Sequence, residues 1–325
     1  MKSDSVNKPL VSVIMITYDH EKFIEKAIRG VLMQECVFEV ELILANDCST
    51  DKADQVIKNV KGNHINASWI KYIKHEKNLG MMPNFIFAVK ECKGKYIALC
   101  EGDDYWTDPL KLQKQVDFLE ANPDYVLCFH KINILKTNGE IVEDFITKVP
   151  ENHESIDTLA RLGNYIHTPS VVFRNVITKF PAEFEKSPIG DYYLYMMLAE
   201  YGKFKYLEDN MAVYREGVGI WSKENDYFRN FNTAYLHALL CNYFDNNISI
   251  KLIFTERIKD FLKHFESSIT VNELVKLGVN DELKKQVLYN LLSKNIALKK
   301  ELQFYKSTKN LLYTLLQRIK KKIWN

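Results

Sequence analysis

Residues 96–106 contain the side chains best suited to chemistry in this sequence. An apolar, β-prone run ends there in three carboxylates around one glycine, Glu101, Gly102, Asp103 and Asp104. This pattern is typical of a buried strand whose carboxyl end delivers acid groups to a cleft. Neighbouring carboxylates repel one another unless a cation such as Mg²⁺ or Mn²⁺ neutralises them, and such cations commonly also bind phosphate oxygens. For an isolated pair of acids, an acidic surface turn is the alternative.

Three further predicted strands also end in polar residues. The pattern predicts strands over residues 10–17, 40–45, 69–75 and 95–100, with helices over 21–32, 54–60 and 83–92 between them. This alternation predicts right-handed crossovers and an open, mostly parallel sheet of the α/β class. Polar groups follow the strands at residues 18–20, 46–47, 78 and 101–104, the edge where such sheets bind ligands.

The second half of the chain is predicted to add mixed elements and then helices. A helix is expected to end near residue 121, followed by a strand over 125–135, a helix over 190–201 and a strand over 204–214. Beyond residue 226 the pattern is helical. We therefore expect one domain over residues 1–225 and an α-helical region over 226–325.

Composition narrows the functional classes. A formal net charge of +2 over 325 residues gives no case for nucleic-acid binding. The six cysteines show neither metal-type pairs nor a disulfide framework, so a reduced, cytoplasmic protein is expected. The N-terminus has no apolar signal region, and no apolar run reaches the roughly 18–20 residues that a membrane span needs.

Together these motifs resemble the family 2 inverting glycosyltransferases of the GT-A fold. The matching runs are VSVIMITYDH (11–20), ANDCSTD (45–51), NLG (78–80), EGDDYW (101–106), GDYY (190–193) and the segment from YR (214–215) to WS (221–222). They cover the first two thirds of the chain and are most similar to bacterial enzymes that build surface polysaccharide, lipopolysaccharide or glycoprotein glycans. The resemblance implies a nucleotide-sugar donor, usually linked to uridine diphosphate (UDP), and a hydroxyl acceptor on a glycan or lipid.

The resemblance assigns donor binding to positions at the strand ends and in a later loop. These are Thr17, Tyr18, Asp19, Asp47, Asn78, Glu101, Gly102, Asp103, Asp104, Trp106, Arg215 and Trp221. Residues 17–19 would hold the base, Asp47 would accept the uracil N3–H, and Asn78 would steady the base and ribose. From the residues alone, Asp47 is equally well an N-cap and Asn78 a turn former.

The resemblance also implies a metal site. Residues 101–103 take the place of the family's Asp-x-Asp motif, with Asp103 expected to bind Mn²⁺ or Mg²⁺ directly and Glu101 expected to reach ribose, or the metal through water. Asp104 would position the sugar or the loop, and Arg215 would neutralise the diphosphate. Many relatives carry a metal-binding histidine shortly after the Tyr-Arg pair. This chain has none there, which leaves Glu216 as a possible substitute.

Asp191 is the expected catalytic base, because an inverting transfer needs a carboxylate to take the proton of the acceptor hydroxyl. Its alternative is an N-cap of the following helix, and the two roles are compatible. His167 is a weaker candidate that would face the acceptor, with a structural role as its alternative. Trp106 and Trp221 could stack on sugar faces or pack in the core.

The C-terminal segment is basic. Residues 299–325 hold eight Lys or Arg against one Glu, and residues 311–325 form a basic amphipathic pattern. Such a helix suits either the cytoplasmic face of an anionic inner membrane, as a peripheral contact, or a protein partner. Residues 282–305 keep a heptad-like spacing that would suit a homodimer.

Other enzyme classes fit less well. Sugar-nucleotide pyrophosphorylases, dinucleotide oxidoreductases and phosphate-loop NTPases use a glycine-rich loop after the first strand, where this chain has residues 18–22 and no glycine. An inactive glycosyltransferase-like scaffold would be expected to lack Asp103 or Asp191, and both are present. The sequence therefore favours a metal-dependent inverting transferase of hexosyl or N-acetylhexosaminyl type, with the scaffold as the alternative.

Overall fold

A computed structural model describes residues 10–223 and 226–266 of the chain. The chain divides into two compact units, one ending at Phe254 and the other beginning at Thr255. The predicted division into residues 1–225 and 226–325 stays a prediction. The predicted membrane or partner helix over 311–325 and the predicted dimer helix over 282–305 lie outside the described residues. No helix in the described ranges is long and apolar enough to cross a membrane.

The described residues form one sheet of nine strands with flanking helices. The strands are β1 (Val11–Thr17), β2 (Val40–Asn46), β3 (Ile70–Lys74), β4 (Tyr96–Leu99), β5 (Tyr105–Trp106), β6 (Tyr125–Leu135), β7 (Ile141–Glu143), β8 (Val172–Arg174) and β9 (Lys203–Arg215). The helices are α1 (Ile24–Leu32), α2 (Ala53–Asn63), α3 (Met81–Glu91), α4 (Lys111–Ala121), α5 (Ile156–Leu162), α6 (Ala182–Glu185), α7 (Gly190–Leu198), α8 (Ile220–Lys223), α9 (Asp226–Tyr243) and α10 (Ile248–Glu266).

The first four long strands form the parallel half of the sheet, in the order β3-β2-β1-β4. Their apolar runs are buried, as in β1, where Val11, Val13 and Met15 have no exposed surface. Helix α1 buries Ile24, Ala27, Ile28 and Val31, which recur at the three- and four-residue spacing of one helical face. The predicted α/β alternation is confirmed, and the element bounds differ from the predicted ones by a few residues.

The other half of the sheet is mixed. Strand β8 pairs antiparallel with both β4 and β6, β9 runs parallel to β6, and β5 pairs antiparallel with β9. Strand β7 pairs antiparallel with β6 beside the main order. The long β9 strand therefore ends at Arg215 beside the short β5, which follows directly after the acidic residues 101–104. This pairing connects the carboxyl end of β4 to the loop that begins at residue 216.

Candidate active site

The carboxyl ends of β1, β2 and β4 meet at one edge of the sheet. Thr17 and Asn46 are register partners, and the Asp47 amide donates to the Thr17 carbonyl at 2.9 Å. The Gly102 amide donates to the Ile16 carbonyl at 3.0 Å, so the turn after β4 lies against the end of β1. A Cβ atom on Gly102 would stand 2.7 Å from the Thr17 hydroxyl oxygen, which explains why this position takes a glycine.

Three carboxylates form a cluster at this edge. One oxygen from each of Glu101, Asp103 and Asp104 lies within 4.8 Å of the others. Burial, with the charges of Asp103 and Asp191, raises the pKa of Glu101 to about 8. Burial and the Asp103 charge also raise the pKa of Asp104 well above its usual range. A positive charge placed among these carboxylates would favour their ionised forms.

This cluster fits a hard divalent cation. One oxygen of Asp104, Oδ1, accepts a hydrogen bond of 2.8 Å from the Arg215 amide. The other, Oδ2, is buried and has no hydrogen-bond partner within the described ranges. A buried carboxylate oxygen without a donor is costly unless a cation satisfies it, and Mg²⁺ and Mn²⁺ prefer such oxygen ligands. Asp104, predicted only to position the sugar or the loop, thus belongs to the acidic cluster itself.

A glycine-containing loop lies over the cluster. The loop starts where the Arg215 amide binds Asp104, and a Cβ on Gly219 would lie 3.5 Å from Oδ2 of Asp103. A side chain at position 219 would therefore reach the carboxylate. Glu216, considered as a further metal ligand, does not belong to the group of neighbouring carboxylates found in the described part of the chain.

Asp191 faces the same site from α7. It lies in the first turn of that helix, whose N-cap position is Ile189, so the predicted N-cap role is wrong. Its Oδ1 accepts from the Tyr192 amide at 2.7 Å, and its Oδ2 accepts from the Asn164 side-chain amide at 2.8 Å. Burial raises the pKa of Asp191, while these two hydrogen bonds and the charge of His167 oppose the rise. The Asp191 charge in turn contributes to the raised pKa of Glu101, so the two carboxyl groups lie close enough to interact.

The model of the family "Glycosyl transferase family 2" matches residues 12–180, more than half of the chain. The chain belongs to glycosyl transferase family 2. An uncharacterized protein of Mycobacterium tuberculosis is 36% identical over 212 residues, which are 65% of this chain and 60% of that protein. This chain thus corresponds to less than two thirds of that relative's length.

Two solved structures are similar in fold. TarS of Staphylococcus aureus, in complex with UDP-GlcNAc, has a TM-score of 0.56 at 18% identity, over 81% of this chain and 77% of that one. The mannosyltransferase PcManGT of Pyrobaculum calidifontis, in complex with GDP-Man and Mn²⁺, has a TM-score of 0.52 at 13% identity, over 89% and 86%. These similarities and the sheet confirm the predicted GT-A fold.

In this family 2 chain, Asp47 connects the end of β2 to the residues that precede α3. Its carboxylate accepts from the Leu79 amide at 2.7 Å and from the Gly80 amide at 2.9 Å. The predicted alternative, an N-cap of α2, is wrong, because α2 begins at Ala53 with Lys52 as its N-cap. Asn78 accepts from the Gly80 amide at 2.9 Å, which is the turn-forming role expected for it. Their roles toward a base stay predictions.

The Tyr18–Asp19 turn is held by the β2 end. Asp19 has φ 54°, its amide donates to the Ser49 hydroxyl at 3.0 Å, and its Oδ1 accepts from the Thr50 amide at 2.7 Å. Tyr18 is 42% exposed at the edge of the sheet. The turn is therefore fixed in place by residues of the neighbouring strand end, while the tyrosine ring stays accessible.

Arg215 lies beside the cluster but points toward aromatic rings. Its guanidinium carbon stands 4.8 Å from the Tyr105 ring centroid and 5.1 Å from that of Phe23. The Lys26 ammonium lies 3.8 Å from the same Tyr105 ring. Two cations thus share one buried aromatic ring next to Asp104. The predicted contact of Arg215 with a diphosphate stays a prediction.

Trp106 requires a correction. Its side chain is 2% exposed within the main core cluster, and its indole N–H donates to the Pro169 carbonyl at 2.8 Å. It therefore cannot stack on a sugar, and core packing is its role. Trp221, the other tryptophan considered, is 37% exposed on α8, where a sugar contact remains sterically open.

His167 is paired rather than free. Its Nε2 lies 3.0 Å from Oδ2 of Asp144, and its ring packs 5.2 Å from the Tyr214 ring. Although burial raises the pKa of Asp144, hydrogen bonds from His167 and Thr147 lower it to about 2. His167 is near enough to Asp191 to lower the pKa of that carboxyl. The nitrogen bonded to Asp144 is thus occupied.

Three residues at the site escaped sequence reasoning: Asn164, Asp144 and Tyr195. Asn164 and Asp144 lie in separate loops, and no motif or spacing connects them to Asp191 or His167. Tyr195 lies one helical turn after Asp191, and burial and the charges of Asp191 and Glu101 raise the pKa of its hydroxyl. The four-residue spacing from Asp191 on a predicted helix is the one signal that could have identified it.

Proposed function

We propose that this chain transfers a sugar from a UDP-sugar to a hydroxyl acceptor with inversion, in a metal-dependent single displacement. The observation that carries the proposal is the position of Asp191 beside the Glu101–Asp103–Asp104 cluster. A nucleotide-sugar transfer needs positive charge at the leaving diphosphate and a carboxylate at the attacking hydroxyl. The cluster would hold a cation that supplies the positive charge, and Asp191 supplies the further carboxylate.

The donor assignment rests on the strand ends. The family resemblance expects Asp47 and Asn78 to bind the base and ribose, and both accept hydrogen bonds from the Gly80 amide. The exposed Tyr18 follows β1, the strand next to β2. The two similar structures contain UDP-GlcNAc and GDP-Man, so the fold accommodates either base. We assign UDP on the basis of Asp47, because a fixed carboxylate suits the imide N–H of uracil.

Glu101, Asp103 and Asp104 would hold the cation. A bound Mn²⁺ or Mg²⁺ would act as a Lewis acid that stabilises the negative charge of the departing diphosphate. The protein's own contribution is to present these carboxylates in a partly desolvated place, where an added charge interacts more strongly than it would in water.

Asp191 would accept the proton in the transfer step. The acceptor oxygen forms its bond to the anomeric carbon as the bond from that carbon to the diphosphate breaks, and UDP leaves. The hydroxyl proton passes to the Asp191 carboxylate. The raised pKa of Asp191 favours this role, since a base is most effective when its pKa lies near the working pH. The acceptor is proposed to be a glycan or lipid-linked hydroxyl.

Calorimetric titration tests the donor assignment. UDP is titrated into the full chain with Mn²⁺ present and then with EDTA, with GDP and ADP as controls. Binding of UDP alone that requires Mn²⁺ supports the proposal, and Asp103→Asn should remove the metal-dependent part. Binding of GDP instead would reassign the base. Failure of all three nucleotides would favour an inactive scaffold.

A further inference from the structure

The side chain of Asn164 connects a well-anchored loop to Asp191. We propose that Asn164 is a positioning residue that holds the Asp191 carboxylate in the orientation needed to take the acceptor proton. This inference rests on the proposed function. It is carried by the 2.8 Å hydrogen bond from the Asn164 Nδ2 to the Asp191 Oδ2.

This bond completes the support of the carboxylate. The Tyr192 amide donates to Oδ1 of Asp191 at 2.7 Å, while Asn164 donates to Oδ2. The two donors come from different parts of the chain, so together they fix the rotation of the carboxylate about its Cβ–Cγ bond. Each oxygen keeps a lone pair for a proton.

The orientation of the Asn164 amide is itself determined. Its Oδ1 accepts from the Ile166 amide at 3.1 Å. With the oxygen engaged there, the NH₂ group must face Asp191. Asn164 therefore has two separable roles. Its oxygen accepts the hydrogen bond from Ile166 that forms the turn, and its NH₂ group donates to Asp191.

The loop that carries Asn164 is anchored to its surroundings. The Tyr165 hydroxyl donates to the His153 carbonyl at 2.9 Å. The indole of Trp106 binds the Pro169 carbonyl. Because both ends of the loop are held, Asn164 is placed before any ligand arrives.

Such placement matters for catalysis. Proton transfer in a displacement needs the base within hydrogen-bond reach of the attacking hydroxyl, and misplacement by about 1 Å can cost about 10²-fold in rate. Without Asn164, backbone amides of residues 191–192 alone among the described donors would orient the carboxylate. We therefore expect the loss of Asn164 to lower kcat more than it weakens donor binding.

The variant Asn164→Asp separates the two roles. An aspartate keeps the oxygen that accepts from Ile166 but replaces the donor to Asp191 with a second carboxylate. We expect kcat to fall about 10²-fold, with the donor KM and the Kd for UDP within about twofold of the original values. Asn164→Ala should also lower kcat. A residue needed only for the turn would leave Asn164→Asp fully active, which would overturn the proposal.

A side-chain exchange tests the contact without relying on activity. In the double variant Asn164→Asp/Asp191→Asn the amide and the carboxylate change places, so the hydrogen bond can re-form. Urea unfolding should then show a favourable coupling of about threefold or more in the unfolding equilibrium constant, while transfer stays abolished. Asn138→Asp is the matched control, since exposed Asn138 accepts from the Glu140 amide at 3.0 Å, two residues on, as Asn164 accepts from Ile166. It should change neither stability nor kcat.

The outcomes separate this inference from the proposed function. Kinetics use UDP release from whichever of UDP-GlcNAc, UDP-glucose or UDP-galactose the original chain consumes. If the original chain transfers and Asn164→Asp transfers equally well, or if the exchange shows no coupling, the role of Asn164 is wrong and the function stands. If the original chain consumes no nucleotide sugar and binds no UDP, the function fails and the positioning role falls with it.

Discussion

The acidic cluster and the surroundings of Asp191 differ in how many hydrogen bonds their carboxylates receive from the protein. On the proposed donor side, Asp47 accepts at both oxygens, but the cluster differs. There Glu101, Asp103 and Asp104 crowd together, and Asp104 Oδ2 is buried without a partner in the described residues. On the acceptor side, Asp144 and Asp191 each receive hydrogen bonds from the protein at both oxygens. The donor side is thus electrostatically incomplete until ligands bind, whereas the acceptor side is organised beforehand.

This difference predicts that ligands affect the two sides differently. A cation and a diphosphate would relieve the repulsion in the cluster, so their binding should stabilise the protein strongly. The base needs no such partner, because Asn164 and Tyr192 already orient it. The proposed base is therefore oriented before an acceptor binds.

The largest expected effect is on the acceptor side. Asp191→Asn should reduce transfer by about 10³-fold or more, since a general base contributes about 10²–10⁴-fold and the amide cannot accept the proton. UDP affinity with Mn²⁺ should stay within about twofold of the original. Steady-state kinetics and calorimetry on the same preparation check both. A parallel loss of UDP binding would contradict the assignment of Asp191 to the acceptor side.

Asp103→Asn should show the reverse pattern. Loss of one ligand charge from the cluster should weaken Mn²⁺-dependent UDP binding by about 10-fold or more, while the residual binding in EDTA changes little. Calorimetry with and without the metal measures the difference. If UDP binding depended on Mn²⁺ equally in the variant and in the original chain, Asp103 would not be a metal ligand.

A pair of stability measurements tests the comparison directly. Asp104→Asn should raise the unfolding free energy of the metal-free protein by about 1 kcal/mol, since it replaces a repelled oxygen by an uncharged NH₂ group beside two carboxylates and keeps the oxygen that accepts from the Arg215 amide. Asp144→Ala should lower it by about 1–3 kcal/mol, because His167 and Thr147 lose their acceptor. Urea unfolding in EDTA decides the signs. If both variants changed the unfolding free energy in the same direction, the carboxylates of the two sides would not differ in how well the protein satisfies them.

The sequence predicted the proposed donor side better than the proposed acceptor side. The donor side was predictable because its residues come as contiguous runs at strand ends, so the parallel topology alone brings Asp47 and Asp103 to one edge. The acceptor side depends on loops that only tertiary packing brings together, such as those of Asp144 and Asn164. Trp106 was ambiguous because the sequence gives its neighbours along the chain but not its burial. The mixed half of the sheet was hard to foresee, since β5 and β8 have only two and three residues and show no periodicity.

The smallest expected effect concerns a buried amine below the donor side. Lys111 is fully buried, its ammonium lies 4.0 Å from the Trp106 ring centroid, and it donates to Gln115 at 2.8 Å. Burial lowers the pKa of Lys111 to about 7. Since the unfolded chain holds this proton up to about pH 10, the unfolded state binds more protons above pH 7. The contribution of Lys111 should therefore raise the unfolding free energy by about 1 kcal/mol between pH 7 and pH 8.

Comparison with Lys111→Met isolates this contribution. Glu101 has the opposite sign, because its raised pKa makes the folded state bind more protons below about pH 8, but it contributes equally to both chains. The difference in unfolding free energy between the original chain and Lys111→Met should thus shift in favour of the original chain as pH rises from 7 to 8. Urea unfolding at both pH values measures it. A difference independent of pH would mean that Lys111 keeps its proton in the fold.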